Sequence, residues 1–140
     1  AIPAEIRNQW RLEEDGAAWY ALPWVNEGVI RLYTESFFRA QAASYQRSLT
    51  PGSDEALLNQ LLFGNSARLE TDSAGRIRIP EWMRDAVRLG SEVALVGAGD
   101  WLEIQDRSRW KEQVQPRLRE MSELLARMRD EGSARNKNGA

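Results

Sequence analysis

The chain has 140 residues, 42% hydrophobic and 29% charged, ordinary proportions for one globular domain or for two small fused halves sharing a core. It contains no cysteine and no histidine, which removes disulfide frameworks, thiolate metal sites and the commonest general base near neutral pH. The formal net charge of -2 argues against a protein that holds nucleic acid by bulk positive charge.

In chain order, Ile2-Pro3 opens a short helix, because proline suits the first helical turn and biases the residue before it toward extended backbone. Two strands follow, Ala18 to Trp24 and Val29 to Tyr33, joined at Asn26-Glu27-Gly28, whose residue types suit a hairpin turn. Thr34 is a candidate N-cap for a helix running toward Gln46. Thr50-Pro51-Gly52-Ser53 breaks the chain, and Ser53 is expected to cap a helix with Asp54 and Glu55 in its first turn and an apolar stripe of Leu57, Leu58, Leu61 and Leu62. Then come strand (67–71), turn (72–75) and strand (76–79), and a second Ile-Pro pair, Ile79-Pro80, opening another short helix. A second hairpin is expected from Glu92 to Val96 and from Trp101 to Ile104, around Gly97-Ala98-Gly99-Asp100. Asp106 is placed to cap a helix toward Val114, and Pro116 to interrupt it and start another through about Arg129, with Leu118, Met121, Leu124, Leu125 and Met128 on one side. Residues 131–140 read as a disordered tail.

This order repeats. Ile2-Pro3-Ala4-Glu5-Ile6-Arg7 is echoed by Ile79-Pro80-Glu81-Trp82-Met83-Arg84 at an offset of 77 residues, and Val29-Ile30-Arg31-Leu32 by Trp101-Leu102-Glu103-Ile104 at an offset of 72. The difference places five extra residues in the first copy, in the region of Asp15 to Trp19. Only the second copy has a strand-turn-strand segment before its Ile-Pro, so an N-terminally truncated fragment is expected.

That segment holds the candidate site. In Asp72-Ser73-Ala74-Gly75-Arg76 the aspartate can bond backbone two residues on, and glycine supplies the positive φ of a tight turn. Alternation along Arg76-Ile77-Arg78-Ile79 turns both isoleucines to the core and offers two guanidinium groups on the other face. Glu13-Glu14, the paired carboxylates an enzyme would want, lie in an apparent loop without positioned partners, so no enzyme and no small-molecule substrate is expected. Neither a cofactor nor a metal is expected. No apolar run approaches the roughly 18 residues that span a bilayer, and no signal-peptide pattern is present, which reads as a cytoplasmic protein without a membrane partner.

Taken together, Leu61-Leu62-Phe63-Gly64-Asn65-Ser66-Ala67, Asp72-x-x-Gly75-Arg76-Ile77-x-Ile79-Pro80, Arg84, Val93-x-Leu95-Val96-Gly97, Leu102-Glu103-Ile104 and Trp110 resemble the second half of the MraZ family. Residues 2–63 are similar to its first half from the Ile-Pro onward. The Asp-x-x-Gly-Arg turn followed by Ile-Pro belongs to the wider AbrB-like group, and the two-copy arrangement favours MraZ within it. The resemblance implies an α+β fold of two pseudo-symmetric AbrB-like halves in a small barrel-like sheet, here residues 1–64 and 65–130. It further implies homo-oligomeric rings that regulate transcription by binding repeated G-rich boxes in double-stranded DNA, upstream of division and cell-wall genes, with a nucleoid-associated location. The family's Asp-x-x-x-Arg motif falls on Asp72 and Arg76; Ser73, Ala74, Gly75 and Arg78 complete the expected DNA-binding set. The alternative is an AbrB-like protein-interaction module, an antitoxin or assembly scaffold, whose arginine face meets an acidic partner.

Overall fold

A computed structural model of the chain describes residues 2–44 and 49–138 and divides into two compact units, Ala1–Asp106 and Arg107–Ala140. The first is α+β. Short helices α1 (Ala4–Gln9) and α2 (Leu12–Asp15) lead into strands β1 (Trp19–Trp24) and β2 (Val29–Thr34), then helices α3 (Glu35–Ser44) and α4 (Ser53–Gly64) and strand β3 (Ala67–Leu69). Helix α5 (Glu81–Val87) and strands β4 (Val93–Gly97) and β5 (Leu102–Asp106) complete it. The strands form one antiparallel sheet in the order β3-β1-β2-β5-β4. Each sequence copy therefore contributes a hairpin, and the two hairpins join through β2 and β5, with Ile30 opposite Ile104 and Leu32 opposite Leu102.

Local chemistry accounts for the elements. Pro3 and Pro80, at φ -54° and -56° with extended ψ, sit at the N-caps of α1 and α5, one residue earlier than a first-turn proline. The Thr34 hydroxyl accepts the Phe37 N–H at 3.1 Å and caps α3 as expected; the expected continuation of that helix to Gln46 falls outside the described residues. The extra residues of the first copy are taken up by α2, slightly before the predicted region. Ser53 is the first residue of α4 rather than its cap, a position held by Gly52. Asp106 Oδ1 accepts the Gly90 N–H at 2.7 Å, so this carboxylate oxygen pins the loop ahead of β4.

The core comprises Ile2, Trp19, Ala21, Ile30, Leu32, Met83, Val87 and Ile104, with Ile6, Trp10, Ile77 and Ile79 packed partly against it. Ile30, Leu32 and Met83 are fully buried. On the other face of the sheet, Arg31 is sandwiched between Trp24 and Trp101, its Cζ 3.9 and 4.5 Å from the two rings, with Glu103 3.8 Å away on the paired strand. Glu35 at the start of α3 accepts from Arg68 of β3 at 2.7 Å, a bond that holds its carboxyl below the ordinary range and ties α3 to the sheet edge. Of the leucine stripe of α4 only Leu62 is half-buried, while Leu57, Leu58 and Leu61 are exposed among the described residues.

One predicted strand is not formed. Residues 76–80 join no ladder: β3, an edge strand paired on one side with β1, ends at Leu69 and does not run on into the turn to meet them. The expected faces survive: Arg76 and Arg78 are exposed, while Ile77 and Ile79 are half-buried rather than buried.

The second unit is helical throughout. After α6 (Arg107–Arg109) the chain widens into a π turn (Trp110–Val114), tightens into a 3-10 turn (Gln115–Glu120) and enters α7 (Met121–Asn138). Pro116 is the cause of the irregularity, since it has no N–H to donate and its ring crowds the carbonyl four residues back. Where the sequence suggests a disordered tail from residue 131, helix α7 continues through Asn138. Glu131, Ala134, Arg135 and Lys137 are good helix formers, set against Gly132 and the weaker Ser133, Asn136 and Asn138. Leu118, Met121, Leu124, Leu125 and Met128 are exposed. No helix among the described residues is long and apolar enough to cross a membrane.

Candidate nucleic-acid interface

Between β3 and α5 the chain makes a turn in which the N–H groups of Asp72, Ala74, Gly75 and Arg76 are all bonded from within. The Gly75 N–H donates to the Asp72 carbonyl at 3.0 Å, closing a four-residue turn, and the Asp72 N–H donates to the Arg76 carbonyl at 2.9 Å. Asp72 Oδ1 accepts the Ala74 and Arg76 N–H groups, both at 2.9 Å, which is the local bonding that makes aspartate a turn residue. Gly75 has φ +76°, a conformation that glycine adopts without steric cost. From outside the loop, the Ile2 N–H donates to the Gly75 carbonyl at 2.7 Å.

Asp72 also reaches the arginine side chain, its Oδ2 accepting from Arg76 Nε at 2.9 Å. The hydrogen bond from the Arg76 N–H, followed by those from the Arg76 side chain and the Ala74 N–H, holds the Asp72 carboxyl below its ordinary range against the opposing effect of desolvation. The ion pair is exposed, with 69% of the Arg76 side chain and 45% of the Asp72 side chain open to solvent, so it contributes direction more than stability. The carboxylate engages Nε, which leaves the two terminal nitrogens of Arg76 as the donors facing outward.

The structure thus brings Asp72, Gly75 and Arg76 together in one hydrogen-bonded unit, with Ser73 and Ala74 exposed at its tip. Arg78 lies two residues beyond on the same exposed side. No carboxylate among the described residues lies within ion-pair distance of Arg78. Nor is any group of acidic side chains among the described residues arranged to hold a metal ion.

Sequence reasoning does not find Arg7. Its side chain comes from the last turn of α1 and lies across Gly75: a methyl group built on that glycine would meet Arg7 Nε at 2.5 Å and Cζ at 2.7 Å. Ile2, Arg7, Trp10, Ser73 and Gly75 line a cavity of about 200 Å³ beside the turn. The signal available in the sequence is the repeat, which sets an arginine five residues after each Ile-Pro isoleucine, at Arg7 and Arg84.

Residues 62–131 match the family described as "MraZ protein, putative antitoxin-like". A protein of Coxiella burnetii named "Transcriptional regulator MraZ" is 33% identical over 113 residues, covering 79% of this chain and 72% of that protein. One of the same name from Mycoplasmoides gallisepticum is 29% identical over 105 residues, 75% of this chain and 74% of that protein. A shorter stretch of 58 residues, 41% of this chain, is 43% identical to 36% of the Xylella fastidiosa protein of that name.

Proposed function

The chain belongs to the MraZ family of transcriptional regulators, and from that membership we propose that the Asp72–Arg76 turn is its DNA-reading element. The single observation that carries this reading is the clamp of Arg76 Nε by Asp72, because it holds an exposed guanidinium in one orientation on a turn whose backbone is already bonded. An arginine held this way presents its terminal nitrogens to an acceptor pair such as guanine O6 and N7 or to a phosphate. Asp72, as an anion, repels DNA itself; its part is to orient Arg76. Arg78 adds a phosphate contact, Ser73 and Ala74 let the tip of the turn come close to the duplex, and Gly75, buried beneath Arg7, serves the set by shaping the turn.

One turn with two arginines binds weakly, since sequence-independent affinity grows with the number of phosphates neutralised. Homo-oligomeric rings would present several turns at fixed spacing to repeated G-rich boxes, upstream of division and cell-wall genes, and raise avidity by roughly 10² to 10⁴. The exposed Leu57, Leu58 and Leu61 face of α4 favours such self-association. In the same reading, residues 1–64 and 65–130 are two AbrB-like halves related by a pseudo-two-fold axis in a double-split barrel, and the protein is cytoplasmic, associated with the nucleoid and without catalytic activity.

The test is Arg76→Ala, titrated against a duplex of tandem G-rich repeats and a scrambled duplex. A lost bidentate contact of about 1 to 3 kcal/mol weakens repeat binding by roughly 5- to 150-fold, with fold and oligomeric state unchanged. Repeat binding as tight as that of the unmodified chain would leave the protein-interaction module as the better reading.

A further inference from the structure

We infer that Arg7 is a further DNA contact: a second guanidinium of the same surface, delivered by α1 across Gly75 to stand beside Arg76. The inference rests on the turn being the DNA-reading element, and it adds a residue that lies 65 positions before Asp72 in the chain.

Three observations support it. The first is position. The Arg7 side chain occupies the space where any other residue at 75 would place its Cβ, so the missing side chain of Gly75 is what admits the guanidinium to the face of the turn. The second is anchoring. Ile6 and Trp10, the neighbours of Arg7 on either side of the α1 terminus, pack against the core, Trp10 Nε1 donates to the Gly16 carbonyl at 2.9 Å, and the Ile2 N–H is bonded to the Gly75 carbonyl. Helix and turn are therefore held to each other at both the main chain and the Arg7 side chain. The third is charge. Arg76 shares its charge with Asp72, whereas no carboxylate among the described residues lies within ion-pair distance of Arg7, which is exposed. An arginine fixed at its root, exposed at its head and left unneutralised beside a polyanion-binding turn is suited to a phosphate oxygen.

The two arginines then divide the work. Arg76, oriented by its carboxylate, reads bases; Arg7, without such a clamp, neutralises backbone charge irrespective of sequence. The experiment measures binding of the whole chain to the tandem G-rich duplex and to a scrambled duplex between 50 and 200 mM salt, for the unmodified chain, Arg7→Gln, Arg7→Lys and Arg76→Ala. Arg7→Gln is expected to weaken both duplexes by a similar factor and to reduce the slope of log affinity against log salt by about 0.9 per engaged chain, while Arg7→Lys keeps the slope. A salt slope unchanged in Arg7→Gln overturns the inference, whatever happens to the affinity; if Arg76→Ala has meanwhile lost its preference for the repeat, the reading of the turn stands without Arg7. Full repeat preference in Arg76→Ala removes the reading of the turn itself, and Arg7 falls with it.

Discussion

Replacing Gly75 with alanine probes the turn at its most constrained point. Gly75 has φ +76°, and a side chain there costs about 1 to 2 kcal/mol from left-handed backbone alone. Alanine also stiffens the unfolded chain, which returns roughly 0.4 to 1 kcal/mol. The remaining term is the collision with Arg7, whose Cδ would be the atom nearest the new methyl group, with Nε and Cζ at 2.5 and 2.7 Å. The nearest atom belongs to the middle of the side chain, so relief takes rotation of the whole arginine off the turn, which adds to the loss. The net expectation is a loss of about 1 kcal/mol, with Arg7 displaced from the turn.

Urea unfolding followed by tryptophan fluorescence measures it, with Gly64→Ala as the control. Gly64 ends α4 with nothing within 4 Å of a built Cβ and no positive φ, so alanine there is neutral or mildly stabilising. In an Arg7→Ala background the collision is absent, and Gly75→Ala should cost only its backbone part. A Gly75→Ala variant as stable as Gly64→Ala would show that the turn relaxes around a left-handed alanine and that the close approach of Arg7 places no demand on residue 75.

Met83→Ala should destabilise by about 2 to 5 kcal/mol in the same assay, since Met83 is fully buried at the centre of the core and alanine leaves a cavity; a loss under 1 kcal/mol would mean that α5 does not pack as described. The Asp72 clamp carries a pH dependence of defined sign. Its folded-state pKa is depressed, so its contribution is complete above the ordinary aspartate value of about 4 and is lost as pH falls through the lower folded value. The Ala74 and Arg76 amide resonances should therefore hold from neutral pH to about 4 and shift only in stronger acid, and Asp72→Asn, which keeps an acceptor oxygen but cannot titrate, should abolish the transition. A midpoint at or above the ordinary value would contradict the hydrogen bonds assigned to Asp72.

The hairpins were legible to within two residues because alternation and turn glycines are local signals: β1, β2, β4 and β5 fall where the residues 18–24, 29–33, 92–96 and 101–104 suggest. The turn was equally legible, since Asp72 bonds to atoms only two and four residues away. What failed is what depends on distant partners. Residues 76–79 have the alternation of a strand and keep its faces, yet a strand also needs a neighbour running alongside it, and β3 stops at Leu69, short of the turn. Arg31 reads in sequence as one polar residue in an apolar strand; its place between Trp24 and Trp101 joins rings contributed by both sequence copies. Arg7 is the last residue of the first Ile-Pro echo, and nothing near it in sequence indicates that it meets Gly75.

The acidic balance of the chain, -2 overall, bears on the DNA reading through placement rather than through the sum. Several carboxylates are already engaged: Glu35 and Glu70 with Arg68, Glu103 and Glu27 with Arg31, and Glu120 with Arg117. Arg117 balances Glu120, and Arg68 with Arg39 balances Glu35 and Glu70, while the Arg31 group keeps one carboxylate in excess; such fields fade beyond a Debye length of about 8 Å at physiological salt. Around the turn the balance differs. Asp72 meets one guanidinium, Arg76, while Arg7 and Arg78 face solvent with no carboxylate among the described residues within ion-pair distance. The surface offered to a phosphate chain is therefore net positive on a net negative molecule, and the negative remainder acts against non-specific binding by every other face. Under the proposed reading, such a chain needs several positive turns aligned on one duplex before it binds well, so its affinity would depend on assembly and on the spacing of the DNA repeats more than on total charge.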